Sequence, residues 1–592
     1  MSAIVLFAGN DTYYGGSTSD SISGLAGDDF IVGGSGSDTL FGGVGNDILQ
    51  DGSAGDKDIY WGGAGDDTLQ AGFGDFGDVA DGGVGVDTIE LNYAFFSLGG
   101  LSIQFGSSFF VMAGGAQGIS VQNCEALIVS CTGFADLIQC GGGDDRILAG
   151  DGLDSIYGGG GDDFIDAGSG DFDLNGGAGI DTLGLVTSST AADVVWQVRN
   201  VFVSTLAGFS GTARGFEILH MVTGAGNDHL TGGALDDRFN SGFGNDVLRG
   251  GLGNDILASG NGSDVVFGGD GDDLITHGGI FETGAGGDTV SGGRGNDLIY
   301  GGDRDEDLSG DDGNDVISGA GGIDILTGGT GNDSLSGGSL AQFYGGTGDD
   351  LLGVSITGLM GILAGGAGVD RLVANLNFND RALVLMADFV AGGYQLTLGG
   401  QVVMLATGVE QISVTGGEMG DILRGGALDD VLTGYQFDAA TGDADRLFGN
   451  AGLDLLIGRA GNDRLFGGAD NDTLVGGLGM DRLNGGSGLD HFRFTLATES
   501  GLGGALRDVV EDFVQAADRI DLSLIDADPA NALIDAFSFI GRTAFSQQAG
   551  ELRFGANAQR TLIEGDLDGD GLADFEIELT GRIILQASDF IL

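Results

Sequence analysis

Residues 223–276 read TGAGNDHLT, GGALDDRFN, SGFGNDVLR, GGLGNDILA, SGNGSDVVF and GGDGDDLIT, six nines with no residue left over. Every block has Gly second, Asp sixth and an aliphatic or aromatic residue eighth. Glycine tolerates the left-handed backbone of a tight turn, and the last three residues suffice for a very short strand. Side chains alternate faces along a strand, so Leu230, Phe239, Leu248, Leu257, Val266 and Ile275 can point inward while their neighbours face solvent. A three-residue strand does not persist alone. Each nine is therefore half a coil, and the coils must stack and pair their strands into parallel sheets, as in a solenoid. Stacking sets each sixth-position Asp above another, and stacked carboxylates repel. A hard divalent ion with six to eight oxygen ligands, completed by turn carbonyls, is the natural counter-charge.

The pattern GG-x-G-(N/D)-D-x-(hydrophobic)-x resembles the calcium-binding nonapeptide of the RTX (repeats-in-toxin) family, a parallel β-roll. The resemblance implies an all-β fold and Ca2+ as cofactor, each ion lying between turns two repeats apart and held by sixth-position Asp side chains and turn carbonyls. Carried over position by position, the ligands in a first array (1–90) are Asp20, Asp29, Asp38, Asp47, Asp67 and Asp87. Short insertions at 53–56 and 73–80 break its phase and read as rim loops. The second array (131–184) supplies Asp145, Asp154, Asp163 and Asp181. The third (223–353) supplies Asp228, Asp237, Asp246, Asp255, Asp264, Asp273, Asp288, Asp297, Asp315, Asp324, Asp333 and Asp350, with an offset near 277–282 and a weaker position at Glu306 in GGDRDEDLS. Asp370 follows in an isolated repeat, and the fourth array (416–493), broken once by YQFDAATGD, supplies Asp421, Asp430, Asp445, Asp454, Asp463, Asp472, Asp481 and Asp490.

Three stretches, 91–130, 185–222 and 354–415, lose the nine and turn to longer alternations such as LSIQF (101–105), VVWQVR (194–199) and YQLTL (394–398), which read as ordinary strands. Each follows a repeat of the form GG-(V/A)-G-(V/I)-D, ending at Asp87, Asp181 or Asp370. Each also ends with a Glu (Glu125, Glu217, Glu410) eleven residues before the Asp that restarts the nines (Asp136, Asp228, Asp421). A constant offset in three copies predicts a larger repeated module in which wider, calcium-poor coils interrupt calcium-rich ones. The Glu either closes the metal ladder, or salt-bridges to the next turn, or is simply a polar residue ahead of a strand.

Residues 494–592 change grammar again, to EDF, DRIDL, FSFIG, AGELRF, TLIEGDLDGDGLADFEIELTG and a terminal ASDFIL. These resemble the C-terminal domain of serralysin-type metallopeptidases, a β-sandwich-like cap that closes the roll. By the same resemblance DFIL (589–592) implies an uncleaved signal read by a type I ABC exporter, and hence an extracellular location. Asp566, Asp568, Asp570 and Asp574 space carboxylates as in the first half of an EF-hand loop, but Ile577 stands where the bidentate Glu belongs, which leaves a calcium site and an acidic turn both open.

Composition limits the partners. Glycine makes up 124 of 592 residues and Pro one, and the formal charge is −66, from 88 acids against 22 bases, with Lys57 the only lysine. Such a chain does not bind nucleic acid unassisted. On the order of twenty to thirty Ca2+ would bring about +40 to +60, cancelling most of the deficit. Cell-surface or polysaccharide partners are expected only through calcium. No apolar run approaches a membrane span, and the apolar start (residues 3–7) is too short for a secretory signal. Cys124, Cys131 and Cys140 are an odd number in one segment and read as small buried hydrophobes, with a transient pair as the alternative.

No catalytic motif is present. Zinc peptidase chemistry needs HExxH, and His220, His229, His277 and His491 lie far apart; there is no GxSxG elbow either. His229 and His491 sit at the outward seventh position of a nine. The expectation is a non-enzymatic, secreted, calcium-folded protein with a structural, adhesive or surface-layer role. The alternative is a polysaccharide-acting lyase, hydrolase or epimerase with a site on the solenoid face or on an insert near Trp196 or Tyr394.

Overall fold

The structure, a computed structural model, describes residues 2–592 except 53–54, 72–76, 105–107, 115, 188–192, 197–210, 278–286, 339, 357–361, 377–382, 389–392, 399–400, 418, 435–441 and 531–534. The rim insertions at 53–56 and 73–80, the offset at 277–282, the YQFDAATGD break and the end of VVWQVR therefore lie partly outside the described residues. The described elements are strands and two single-turn 3-10 segments, Ala497–Glu499 and Ala587–Asp589. The chain divides into two compact units, Met1–Leu298 and Ile299–Leu592.

In the first unit each coil contributes one strand to each of two parallel sheets. Asp20–Ala26, Thr39–Val44, Ile59–Ala64 and Val79–Val84 pair in one, and Phe30–Val32, Ile48–Gln50, Thr68–Ala71 and Thr88–Asn92 in the other. The register aligns eighth-position residues directly: Ile22 with Leu40 with Tyr60, and Ile31 with Leu49 with Leu69 with Ile89. All of these are 0% exposed. Burying each such side chain contributes about 1.5–3 kcal/mol, so a thin core between two sheets suffices when every coil repeats it. The six nines read first behave alike, their eighth residues being buried from Leu230 through Ile275. The nonapeptide grammar thus folds as the parallel β-roll it resembles.

The first insert is an antiparallel meander spliced into one sheet. Val79–Val84 pairs parallel with Ala116–Gln122, which runs antiparallel to Ser108–Ala113, itself antiparallel to Leu101–Gln104, and that strand pairs parallel with Leu137–Gln139 to resume the roll. Opposite these three strands the other sheet advances by one, Ala126–Ser130, between Thr88–Asn92 and Arg146–Leu148. In the second insert Asp171–Ala178 pairs with Gly211–Arg214, Thr182–Val186 pairs with Ile218–Val222, and Val195 bridges to His229.

The second unit repeats the device. Ile362–Ala367 pairs with Gln401–Thr407, antiparallel to Gly393–Leu398 and then Leu383–Asp388, which meets Ile422–Arg424, while the other sheet steps once through Gln411–Thr415. Beyond Arg482–Ser487 the cap continues both sheets. Asp508–Val510 leads to Phe575–Thr580 in one, and His491–Arg493 leads through Arg519–Asp521 to Phe590–Ile591 in the other. Arg507, itself 5% exposed, ties the preceding loop to the cap through Glu576 Oε2 at 2.6 Å and Glu578 Oε2 at 2.7 Å.

Candidate metal centres

The sixth-position aspartates form an inner ladder in which each backbone N–H donates to the carboxylate of the next coil. Asp29 donates to Asp47 Oδ1, Asp47 to Asp67 and Asp67 to Asp87, each at 2.8 Å. On the other turn line Asp20 donates to Asp38 and Asp38 to Asp58 at 2.6 Å. The residue after each Asp donates back to the Asp carbonyl above, as Thr68 N does to Asp47 O at 2.8 Å. One carboxylate oxygen is therefore committed to the fold. The other, Oδ2, is buried without a hydrogen-bond partner at Asp29, Asp47, Asp67, Asp87, Asp163, Asp181, Asp255 and Asp273, and in the second unit at Asp333, Asp350, Asp370, Asp454, Asp463, Asp472 and Asp481. Buried polar atoms are ordinarily satisfied, so a regular series of exceptions marks a place for something else.

Electrostatics agree. Burial pushes the carboxyl of Asp47 up to about 6 and that of Asp67 up to about 7, and the Asp47 and Asp87 charges stacked on either side of Asp67 add to its shift. In the second unit burial lifts Asp445, Asp454 and Asp481 to about 8. Carboxylates raised this far are short of positive charge. All-oxygen donors of carboxylate and carbonyl type suit a hard cation such as Ca2+ rather than a soft metal.

Every roll aspartate named from the nines is buried. The structure does not treat them alike. The Oδ2 atoms of Asp237, Asp421 and Asp430 accept turn amides from Gly233, Gly417 and Gly426 at 2.6–2.7 Å, and Asp288 Oδ2 accepts from Ser259 and meets His277 Nδ1 at 3.1 Å. These rungs, close to where arrays start or slip phase, are served by protein groups. Glu306 does take a rung, its N–H donating to Asp324 Oδ1 at 3.1 Å.

The nine-residue rule missed Asp58, Asp78, Asp508 and Asp518, and Asp136, read only as the Asp that restarts the nines, was left out of the ligand set; all are buried rungs or rung-like acceptors. Asp58 donates to Asp78 Oδ1, Asp481 donates to Asp508 Oδ1, and Asp490 donates to Asp518 Oδ1. Their coils are 20, 27 and 28 residues long instead of 18, which shifts them out of phase. The available signal was the Asp immediately before a hydrophobic strand start, as in DIYWGG and DVVEDF.

A second, outer ladder runs along the fifth positions with opposite polarity. Asn46 N donates to Asp28 Oδ1, Asp66 N to Asn46 Oδ1, and Val86 N to Asp66 Oδ1, at 2.9–3.0 Å. Ahead of each insert it stops on an apolar residue, Val86, Ile180 or Val369, which donates its amide upward and offers no acceptor below.

In the cap, Asp566, Asp568 and Asp570 can bring one carboxylate oxygen each within 4.8 Å of one another, Asp566 buried and the others exposed. Asp566 also accepts the Gly569 and Gly571 amides at 2.8 and 3.0 Å, and Asp574 lies outside the group, its Oδ2 accepting Leu567 N at 2.6 Å. His229 is exposed and His491 half-buried; Trp196 and Tyr394 are core residues at 4% and 2% exposure. All three cysteines are buried and free, and burial pushes the Cys124 thiol up to about 12. Among the described residues no helix is long and apolar enough to cross a membrane.

Two antiparallel-running ladders of oxygen donors on a parallel β-roll define a calcium-binding repeat solenoid. The comparisons agree. The model of the RTX calcium-binding nonapeptide repeat (4 copies) matches residues 6–22, 14–49, 52–89, 141–171, 220–248, 249–279, 282–317, 309–339 and 415–436, and that of the peptidase M10 serralysin C terminal matches 439–592. The chain carries RTX calcium-binding nonapeptide repeats and, over residues 439–592, a serralysin-type C-terminal domain. A comparison with curated protein sequences finds no match. Among solved structures, it is similar to the AlgE6R2 subunit of the Azotobacter vinelandii mannuronan C5-epimerase, with 22% identity over 30% of this chain and 92% of that one and a TM-score of 0.19. The AlgE6R3 subunit from the same organism gives 27% identity over 28% of this chain and 78% of that one, with a TM-score of 0.15. The extracellular lipase LipA from Serratia marcescens gives 18% identity over 52% of this chain and 40% of that one, with a TM-score of 0.14.

Proposed function

We propose that this protein is a secreted structural, adhesive or surface-layer component whose roll assembles on extracellular calcium after type I export. The observation that carries the reading is the recurring series of buried Asp Oδ2 atoms with no hydrogen-bond partner along the turns of the roll, on a chain with a formal charge of −66. Bound calcium would supply the positive charge those carboxylates lack; on the order of twenty to thirty ions would serve. The chain's own part is to hold one oxygen of each Asp by a backbone amide, which fixes the direction of the other, and to align the coils through the inward Leu, Ile and Val rows.

Where free calcium is scarce, repulsion between stacked carboxylates opposes coil stacking and favours an expanded chain suited to passage through an exporter. At millimolar calcium the same carboxylates become the cohesive element. We read the protein as non-enzymatic. Its nine-tenths-buried acids already serve the ladder, and the two aromatic residues considered for a polysaccharide site pack in the core.

Circular dichroism of the purified chain titrated with Ca2+ tests the folding switch: strand signal should grow with calcium, and a chain fully folded in excess chelator would overturn it. Fractionation of producing cells, with and without chelator, tests location. The protein is expected in the medium or on the surface, and its retention inside the cell would overturn the secretion reading.

A further inference from the structure

We propose that Glu125, Glu217 and Glu410 are calcium ligands that close the first, second and third arrays with a mixed Asp–Glu rung. The inference rests on the reading that the aspartate ladders bind calcium.

In an ordinary rung two acceptors converge on the first glycine of the turn. A Cβ built on Gly42 would lie 2.3 Å from Asp47 Oδ2 and 2.6 Å from the carbonyl oxygen of Gly62 one coil on. Ahead of the inserts the same convergence is rebuilt from different residues. At Gly82 the atoms met are Asn123 O and Asp87 Oδ2, at 2.1 and 2.6 Å; at Gly176 they are Gly215 O and Asp181 Oδ2, at 2.0 and 2.5 Å; at Gly365 they are Gly408 O and Asp370 Oδ2, at 1.9 and 2.5 Å. Asn123, Gly215 and Gly408 all adopt left-handed backbone, with φ of 49°, 65° and 58°, which turns the chain between insert strand and rung.

Two residues after each of them comes the Glu. Its Oε2 accepts the Asp amide, at 2.9 Å for Asp87, 3.0 Å for Asp181 and 2.9 Å for Asp370, the place Oδ1 of the next Asp takes elsewhere. An Asp in mid-array sends its own N–H on to the following coil. The Glu N–H instead turns back to the carbonyl of Asp87, Asp181 or Asp370 at 2.9–3.0 Å, as does the amide after it, so the inner ladder ends there. Asp87, Asp181 and Asp370 are 0% exposed and each keeps an Oδ2 with no partner. Glu125 and Glu217 are exposed and Glu410 half-buried. Three independent copies thus present a buried unpartnered carboxylate oxygen, a left-handed residue's carbonyl and an outward glutamate. These are oxygen donors for a hard divalent cation at the open edge of an array.

The test is calcium stoichiometry on the full chain, by equilibrium dialysis against Ca2+ with metal analysis, for the wild type, for E125Q and for the triple variant E125Q/E217Q/E410Q. Glutamine keeps the length and the oxygen that accepts the Asp amide, so a merely structural role leaves the count unchanged. The expected result is about one ion lost in E125Q and about three in the triple variant, with strand content at saturating calcium retained. An unchanged count in folded variants overturns the proposal while leaving the ladder reading intact. A wild-type chain that binds no calcium overturns both. If the triple variant does not fold, E125Q alone decides.

Discussion

The first and third inserts and the C-terminal cap share one topology and use it differently. In the first insert Ala116–Gln122 pairs parallel with the last array strand and connects through an antiparallel partner to Leu101–Gln104; in the cap Phe575–Thr580 pairs parallel with Asp508–Val510 and connects through Arg560–Asp566 to Glu551–Ala556. Opposite each meander the other sheet advances by a single strand. The far strand decides the outcome. Leu101–Gln104 pairs parallel with Leu137–Gln139 and restarts the roll, whereas Glu551–Ala556 pairs with Ser538–Gly541 within the cap. Charge divides them as well. The inserts close on glutamates, while the cap pairs its acids with arginines: Arg507 with Glu576 and Glu578, Arg553 with Glu564, Arg493 with Asp521. On the proposed reading the glutamate closures recruit calcium, whereas these cap acids are paired by the chain's own arginines.

Calcium removal should break that comparison most visibly. In excess chelator at neutral pH, amides of the fourth array, such as those of Arg464–Ala469, should exchange freely with solvent. Those of Glu551–Ala556 and of 560–564, short of the Asp566 carboxylate group, should stay protected, because Arg553 with Glu564 and Arg560 with Glu578 pair the charges of this meander. Hydrogen exchange read by mass spectrometry measures it, and equal protection of array and cap would contradict the assignment of charge.

Acid should partly replace calcium in the arrays and not in the cap. The ladder carboxylates have folded values raised by burial, to about 6 at Asp47, 7 at Asp67 and 8 at Asp454, above their unfolded range. A raised carboxyl contributes stability that is fully present below the unfolded pKa and lost as pH rises through the folded one. In chelator, array structure should therefore return as pH falls from about 8 towards about 4, and the calcium concentration for half-folding should rise as pH rises over the same window, because protons then supply less of the neutralisation. Asp521 behaves oppositely. Burial alone would raise it, but Ser523 and Arg493 hold its carboxyl below the usual range, so its contribution is lost on acidification. Circular dichroism across pH with and without Ca2+ reads both, and array structure independent of pH in chelator would refute the first.

Single residues sharpen the comparison further. Arg507→Met leaves Glu576 and Glu578 without their shared guanidinium; breaking a buried pair costs about 3–5 kcal/mol, and the partial exposure of both glutamates lowers this to about 2–3. The loss should appear in the urea transition of the cap at saturating calcium. Asp136→Ala acts at the restart of the second array, where the carboxylate accepts Leu101 N, Thr132 N and Thr132 Oγ1. Leaving buried donors unmet costs about 1–3 kcal/mol, in the array and not in the cap.

How much of this was legible follows coil by coil. Where the coil is 18 residues, sequence phase and ladder rung coincide, and Asp246, Asp255 and Asp463 stand where the nines put them. The rung itself tolerates coils from 17 residues, between Asp333 and Asp350, to 28, between Asp490 and Asp518, because the Asp amide and carboxylate keep their contact across either length. A fixed period cannot follow such loops, which is why Asp58 and Asp508 escaped it. The first and third inserts were legible as strands from the alternations at Leu101–Gln104 and Gly393–Leu398, but their antiparallel order was not, since alternation carries no direction. The offset from Glu125 to Asp136 was visible in the text. The left-handed backbone two residues before each Glu, at Asn123, Gly215 and Gly408, is a conformation that the residue letters alone do not specify.

The smallest effect tests why an apolar residue precedes each insert. Asn46 in mid-array both donates and accepts in the outer ladder, whereas Val86 only donates, to Asp66 Oδ1 at 2.9 Å, and is 61% exposed. Asn46→Val removes the acceptor for Asp66 N on an exposed edge and should cost about 0.5–1 kcal/mol. Val86→Asn adds an acceptor with no coil amide below to use it, and should stay within about 0.5 kcal/mol at unchanged calcium count. A Val86→Asn loss as large as that of Asn46→Val would mean that the outer ladder runs on into the insert and that the apolar residue is packing there, not ending a row of hydrogen bonds.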